Sequence, residues 1–236
     1  MNKIIETLSV VVEDARFEFK ENGLHARVVD ASHVAMIKME VDSAAFDTWE
    51  IEETDLGLEL RKVKELISLG AADDMIEMAY TPTSGVMTLN LGKIDRNIRP
   101  LDNTTISSPN VPQIDIPSKV VMSGAALAQA LRAAKQVGDL VNLSIDSETF
   151  TVHVQGQTDS VTVSFAKDEL DSLECTKPAR SQYSLTYLVP MAKVFAGLGE
   201  ITLGFGESFP LRLSFSFNDG AGEVVYYLAP RVESEY

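Results

Sequence analysis

Apolar and polar residues alternate along this chain in an order that occurs twice. Residues 12–30 and residues 137–156 each begin where a helical pattern ends, and each continues as an alternating segment, a polar turn and a second alternating segment. Alternation with a period of two is typical of strands that bury one face. With one residue inserted, the matched positions are Phe17 with Leu143, Phe19 with Ile145, Leu24 with Phe150 and Val28 with Val154. The pattern therefore predicts a duplicated domain.

A weaker second repeat extends the duplication. Residues 58–80 and 184–205 each predict a strand, a helix, a Leu-Gly pair and another strand, and the Leu-Gly pairs are typical of helix C-caps. The predicted helices are 2–13, 60–69, 125–137 and 187–197. Strands dominate the remainder, so we predict an α+β fold of two duplicated β-α-β-β domains whose sheets are flanked on one side by helices.

The two copies are separated by a proline-bearing segment. Residues 101–117 contain Pro109, Pro112 and Pro117, which lack backbone donors and favour extended chain. We therefore predict a domain over 1–100, a connector over 101–117 and a second domain over 118–236. The first copy has no counterpart of the strand predicted at 119–122, which leaves two interpretations: a start codon assigned too late, or a sheet that is one strand shorter.

Composition restricts the class of protein. The 236 residues are 45% apolar, and no window approaches eighteen consecutive apolar residues, so we expect a globular chain without a membrane partner. Cys175 is the single cysteine and the start lacks a signal-peptide pattern, which together favour a reducing cytoplasm. The net charge of −15 argues at first against nucleic acid.

Recognisable catalytic motifs do not occur. Gly204-Phe205-Gly206 lacks the third glycine of a dinucleotide fingerprint and is interpreted as a hairpin turn. His25, His33 and His153 do not have metal-ligand spacing. Asp73-Asp74 could bind a cation, but an Asp-rich turn is the commoner explanation. We expect a protein that is not an enzyme and has neither cofactor nor metal.

The basic residues on the predicted helices point in another direction. They are Lys3, Arg61, Lys62, Lys64, Arg132, Lys135 and Lys193. The helix over 125–137 contains no acidic residue, which is unusual in so acidic a chain. Two interpretations remain open: a small solvated face, or a shared helical face that binds an anion.

Two short segments carry a family resemblance. Residues 28–34 read Val-Val-Asp-Ala-Ser-His-Val and residues 228–233 read Leu-Ala-Pro-Arg-Val-Glu. With the duplicated domains and the proline-bearing connector, they resemble the sliding clamps called proliferating cell nuclear antigen, in their archaeal form, over essentially the whole chain. The resemblance implies a homotrimeric ring with sheets outside and helices lining a hole through which duplex DNA passes. It also implies a processivity factor that tethers DNA polymerase, clamp loader, flap endonuclease and DNA ligase through short peptide motifs.

The resemblance also implies three sets of site residues. The helical cations would face DNA, although Glu65 and Ser68 stand where many relatives have lysine, which thins this lining. The subunit edges would be strands 93–101 and 168–176, joining Lys93, Arg96, Ile98 and Arg99 to Asp168, Glu169, Asp171 and Glu174. The partner pocket would use Val29, His33, Val34, Ile106, Pro109, Pro210, Leu228, Ala229, Pro230, Arg231 and Val232. A clamp-like adaptor or heterotrimer member that does not load on DNA is the alternative hypothesis.

Overall fold

The structure is a computed structural model that describes residues 1–71 and 74–231. Its helices are α1 (Asn2–Leu8), α2 (Leu60–Ile67), α3 (Gly124–Lys135) and α4 (Leu185–Phe195). The first-copy strands are β1 (Asp14–Lys20), β2 (Gly23–Val29), β3 (Ala35–Asp42), β4 (Thr54–Glu59), β5 (Ile76–Thr81), β6 (Val86–Leu91) and β7 (Ile94–Ile98). The second-copy strands are β8 (Ser118–Ser123), β9 (Leu140–Ile145), β10 (Thr149–Gln155), β11 (Ser160–Ala166), β12 (Ser172–Cys175), β13 (Ala179–Ser184), β14 (Glu200–Gly204), β15 (Leu211–Phe217) and β16 (Gly222–Leu228).

The predicted helices are present, with different ends. The first helix ends at Leu8 rather than at residue 13, and the chain continues in turns in which Val12 N–H still donates to the Leu8 carbonyl at 3.1 Å. Three consecutive β-branched valines follow Ser9, and such residues lose side-chain freedom in a helix. The prediction for α1 was therefore too long.

One sheet runs through both copies. Its nine strands follow the order β12-β8-β14-β15-β16-β3-β2-β1-β4. The two copies meet where β16 pairs antiparallel with β3, from Gly222 opposite Val41 to Leu228 opposite Ala35. The other described strands form a four-stranded sheet, β11-β10-β9-β13, and a three-stranded sheet, β5-β6-β7. The duplicated fold predicted from the sequence is confirmed.

The repeat holds in register as well as in order. Phe17 on β1 lies opposite Ala26 on β2, and its counterpart Leu143 on β9 lies opposite Val152 on β10. The copies differ in strand number: among the described residues, β8 and β12 have no first-copy counterpart. As a result β14 pairs with both β8 and β15, whereas its counterpart β5 pairs with β6 alone.

The helices form one layer. α2 packs on α1, α1 packs on α4, and α4 packs on α3, so the row passes from the first copy into the second without interruption. The apolar sides of these helices and one face of the sheets enclose the core, in which Leu8, Phe17, Phe150 and Phe195 are almost completely buried. The opposite faces of the helices are left to the solvent.

Candidate nucleic-acid face, subunit edges and partner pocket

Three of the predicted DNA-binding cations are exposed on the helical layer. Lys64 on α2, Arg132 on α3 and Lys193 on α4 have exposed side chains. In residues 1–71 and 74–231, no carboxylate lies within ion-pair distance of any of them. These three charges are available to an anion that approaches the layer.

The other four cations of that set have intramolecular partners. Lys3 Nζ donates to Glu6 at 3.2 Å and to the Val194 carbonyl at 3.1 Å, so it links α1 to α4. The remaining pairs are Arg61 with Glu65, Lys62 with Glu59, and Lys135 with Asp139. Exposed pairs of this kind contribute about 0–1 kcal/mol, so an incoming polyanion can exchange with them.

The solvent-exposed side of α3 carries mostly short or uncharged side chains. Its exposed positions include Ala125, Gln129, Arg132 and Gln136, at helical spacings of four, three and four residues. Ser123 caps the helix, its Oγ accepting from the Ala126 N–H at 3.4 Å. The exposed stripe of α3 thus combines short or neutral side chains with one cation.

The predicted interface residues of the first copy differ in their exposure and in their contacts. Lys93 and Arg99 are exposed, but Ile98 is buried in the core. Arg96 reaches its own helix α2, donating to the Lys62 carbonyl at 2.8 Å and to Glu65 Oε2 at 3.1 Å. Glu65, which was expected to thin the lining, therefore has Arg96 as a partner in addition to Arg61.

The second predicted edge, strand 168–176, is not one strand. Asp168 and Glu169 lie in the 3-10 turn Lys167–Glu169, and Asp171 follows it. Glu174 lies on β12, which pairs with β8, and its carboxylate is 3.6 Å from Lys119 of that strand. The prediction of a continuous edge strand here was wrong, because local alternation does not reveal which distant strand a segment pairs with.

The internal repeat identifies a better edge. β11 is the counterpart of β3, and β7 is the counterpart of β16; β3 and β16 join the copies inside one chain. On the core face of β11, Val163 and Phe165 remain partly exposed, whereas Met39 and Val41 on β3 are buried. β7 and β11 thus correspond to the paired strands β16 and β3, but each has one edge without a neighbouring strand among the described residues.

The exposure of β7 agrees with this assignment. Ile94 is 41% exposed, whereas Val224, its counterpart on β16, is 1% exposed. The counterparts follow from two isolated bridges, Gly57 with Leu101 and Gln182 with Arg231, which make Leu101 equivalent to Arg231. The apolar position that is buried on β16 is therefore exposed to solvent on the edge strand β7.

Some of the predicted pocket residues lie at the junction of the copies, and one belongs to the core. Val29 and Val34 from the first copy and Ala229 from the second are partly exposed, and Ala229 N–H donates to the Val34 carbonyl at 2.8 Å. Leu228 is 0% exposed and belongs to the core. Tyr227 occupies the outward position that was predicted for Leu228.

The remaining predicted pocket residues differ in exposure. His33 is exposed, and Ile106, Pro109, Pro210 and Pro230 are partly exposed. Arg231 N–H donates to the Gln182 carbonyl at 2.7 Å, and Val232 lies outside the described residues.

A cavity of about 320 Å³ lies beside the connector and includes Val29 and Ile106. Its other lining residues include Val12, Val28, Leu101 and Thr105. The connector approaches β4 closely here, since a Cβ on Gly57 would lie 2.6 Å from Ile106 Cδ1. Ile106 can line this cavity in its observed position because glycine at position 57 has no side chain to displace it.

Sequence reasoning missed two residues that shape the pocket. Asp30 lies in the loop between β2 and β3 and accepts backbone N–H donors from Val34 and Ala35, each at 2.7 Å. Tyr187 of α4 donates its hydroxyl to the same carboxylate at 3.3 Å. The first was recognisable as an Asp-x-Ser turn signal; the second arises from tertiary contact alone.

The minor features behave as turns. Asp74 Oδ2 accepts from Ala71 N–H at 2.7 Å, while Asp73 lies outside the described residues. β14 and β15 pair as a hairpin across Gly206. Within residues 1–71 and 74–231, no group of three or more His, Cys, Asp or Glu side chains could hold a metal, and no helix has the length and apolar character needed to cross a membrane.

A helical layer with exposed cations, backed by sheets whose edge strands include β7 and β11, is the architecture of a sliding clamp. The family models for the N-terminal and C-terminal domains of proliferating cell nuclear antigen match residues 1–105 and 110–231. The chain belongs to the proliferating cell nuclear antigen family.

Individual relatives agree. The chain is 34% identical over 232 residues to the DNA polymerase sliding clamp of Methanosarcina acetivorans, an alignment that covers 98% of this chain and 94% of the relative. It is 36% identical over 234 residues to the DNA polymerase sliding clamp of Methanoregula boonei, with the same coverage. Among solved structures, the A. fulgidus proliferating cell nuclear antigen bound to the C-terminal region of FEN-1 superposes with a TM-score of 0.92 at 28% identity, covering 99% of this chain and 96% of that one.

Proposed function

We propose that three copies of this chain close into a ring around duplex DNA and tether the replicative polymerase and other replication and repair proteins. The observation that carries the proposal is the repeated junction: β16 and β3 join the copies within a chain, and their counterparts β7 and β11 are left free to join one chain to the next. Free strand edges invite pairing with other chains, and a closed ring leaves none of these edges open.

The proposed joint follows the register of the internal one. Val224 on β16 lies opposite Met39 on β3. By the repeat, Ile94 of one subunit would lie opposite Val163 of the next. Both side chains are apolar and partly exposed in the single chain, and their burial at the joint would contribute the hydrophobic free energy that holds the ring closed.

The charge distribution suits a ring that slides. A trimer would carry three times the net charge of −15, mostly on the outside, while Lys64, Arg132 and Lys193 would line the hole. Cations that neutralise phosphates bind DNA without reading its bases, and the acidic exterior repels other DNA. Few and mostly water-mediated contacts allow movement along the duplex, and the closed topology keeps the ring in place.

The pocket between the copies is the proposed docking site for client peptides. Val29, Val34 and Ala229 provide a partly exposed apolar surface on an acidic protein, and such patches mark interaction sites. A short peptide can bury aromatic anchor residues there while its flanking chain pairs with the connector. None of these roles requires a catalytic group on the clamp.

The test combines assembly with DNA-dependent activity. We expect the mass in solution to correspond to three chains, and we expect the protein, with a clamp loader, to stimulate a polymerase on primed circular DNA but not after the circle is linearised. Stimulation that survives linearisation, or that never occurs with a trimer, would contradict a topological tether and would favour an adaptor that does not load.

The lining has its own control. Replacing Lys64, Arg132 and Lys193 together by Ala should reduce loading and flatten the slope of log affinity against log salt by about 0.9 for each phosphate that is no longer neutralised. The matched control replaces Lys119, Lys177 and Arg180 by Ala, since these exposed cations lie outside the helical layer and are not part of β7 or β11. Equal effects from both triple variants would show that net charge matters and that the position of the cations does not.

A further inference from the structure

One carboxylate holds the loop that forms the first-copy wall of the pocket. Asp30 Oδ1 accepts from Val34 N–H and Ala35 N–H, each at 2.7 Å, and Asp30 Oδ2 accepts from Ser32 N–H at 3.1 Å. Between these donors His33 has φ of 55°, a left-handed conformation that an L-residue other than glycine adopts only when its surroundings impose it. The shape of the wall therefore depends on Asp30.

The same carboxylate is bound from the second copy. Tyr187, in the first turn of α4, donates its hydroxyl to Asp30 Oδ2 at 3.3 Å, and the Tyr226 hydroxyl donates to the Tyr187 carbonyl at 3.3 Å. Burial alone would raise the pKa of Asp30, but the three backbone donors and the Tyr187 hydroxyl outweigh it and lower that pKa below its ordinary value. Asp30 is thus ionised and shared between the copies.

The residues of the proposed pocket come from both copies, with Val34 from the first and Ala229 from the second, so contacts between the copies must fix their spacing. The backbone bond from Ala229 to Val34 sets the distance at the sheet edge. The hydrogen bond from Tyr187 to Asp30 fixes the position of the loop over 30–34, which includes the exposed His33, relative to the second copy. No other side-chain hydrogen bond between the loop over 30–34 and the second copy is seen among the described residues.

We propose that Asp30 and Tyr187 are positioning residues for the client pocket, holding the loop over 30–34 in its binding-competent shape from helix α4. The proposal rests on the client pocket put forward above. A site that is already in its bound shape avoids the ordering cost of binding, and a site that is competent for only part of the time binds more weakly in proportion. The pair also connects the pocket to the helix that carries Lys193.

The probe is a fluorescein-labelled peptide from the C-terminal region of FEN-1, titrated into the full-length chain and followed by anisotropy. Tyr187→Phe removes only the hydroxyl, and we expect it to weaken binding about 3- to 10-fold. Asp30→Ala should weaken it further, and Asp30→Asn, which keeps one acceptor oxygen, should fall between them. The control is Tyr80→Phe, since Tyr80 on β5 makes no side-chain hydrogen bond among the described residues.

A second readout separates positioning from general stability. In Tyr187→Phe the backbone amides of Val34 and Ala35 should exchange with deuterium faster, while the melting temperature and the trimer stay as in wild type. If the wild-type chain does not bind the peptide, the pocket itself is wrong and the positioning role falls with it. If wild type binds and Tyr187→Phe binds equally well with unchanged exchange, the pocket stands and the positioning proposal is overturned.

Discussion

The two copies share a backbone and differ on their outer faces. On the first copy, neighbouring side chains are charged: Glu18 on β1 contacts Arg27 on β2 at 2.7 Å and Lys20 of its own strand at 2.9 Å, and Arg16 contacts Asp55 on β4. The matched positions of the second copy are mostly neutral, with Ser144 in place of Glu18 and His153, bonded to Thr162 at 2.8 Å, in place of Arg27.

The charged face coincides with the path of the connector. Asn103 bonds to the Asp55 carbonyl, and Ser108 Oγ lies 3.4 Å from Glu18 Oε1. On the second copy the corresponding crossing, Gln182 with Arg231, occurs where the described chain ends. The duplicated fold thus sets the register, while the charges have diverged where one copy must hold the connector.

The edges of the two copies supply the largest expected effect. Ile94→Asp or Val163→Asp should convert the trimer into monomers, because each places a carboxylate in an apolar joint at a cost of at least about 2 kcal/mol. Sedimentation velocity at low micromolar concentration measures the change.

Glu174→Ala on β12 is the control for the edges, and it should remain trimeric. Trimers from both Asp variants, or monomers from Glu174→Ala, would return the interface to the 168–176 segment.

The outer faces differ most at Glu18 and its counterpart Ser144. Glu18→Ala leaves two cations without their partner on the sheet, so we expect a loss of about 2 to 3 kcal/mol in the free energy of unfolding. Ser144→Ala should change it by less than about 0.5 kcal/mol. Urea denaturation of both variants measures the difference, and similar values would mean that the network does not distinguish the copies.

Low pH should reveal the same difference between the outer faces. Burial opposes ionisation of Glu18, but Lys20 and Arg27 prevail and lower its pKa from 4.5 to about 2. A lowered folded-state pKa gives stability that is complete above the unfolded-state value and lost as pH falls toward the folded-state value. Between about pH 4.5 and pH 2, wild type should therefore lose on the order of 2 to 3 kcal/mol more than Glu18→Gln does. Parallel pH profiles of unfolding for the two proteins would contradict this.

The smallest expected effect on stability comes from Gly57, whose counterpart in the second copy is Gln182. A methyl group at Gly57 would collide with Ile106 of the connector, so Gly57→Ala should cost about 1 to 2 kcal/mol and weaken client-peptide binding. The control is Gly197→Ala, because a Cβ there meets no atom within 4 Å. Unfolding curves and peptide titrations of both variants decide the matter: an unchanged Gly57→Ala would mean that the connector yields freely.

Much of the fold could be predicted because its signals are local. Alternation indicated the register that matches Phe17 with Leu143. Alternation could not show which side chains face outward at residues 224–229, because both faces of this strand are apolar. The pattern therefore did not distinguish Tyr227 from Leu228. The pairing of β12 with β8 and the contact of Tyr187 with Asp30 depend on residues distant in sequence, which no local pattern encodes.

The β16–β3 pairing also has a mechanical meaning. Hydrogen bonds of an antiparallel ladder share a sliding load, so resistance grows with the length of the ladder. β16 contributes seven residues to the joint inside the chain, whereas β7 has five residues to offer a neighbouring chain. In the proposed ring, strong and weak joints would alternate, and a force that opened the ring would separate the chains from one another before it separated the halves of any chain.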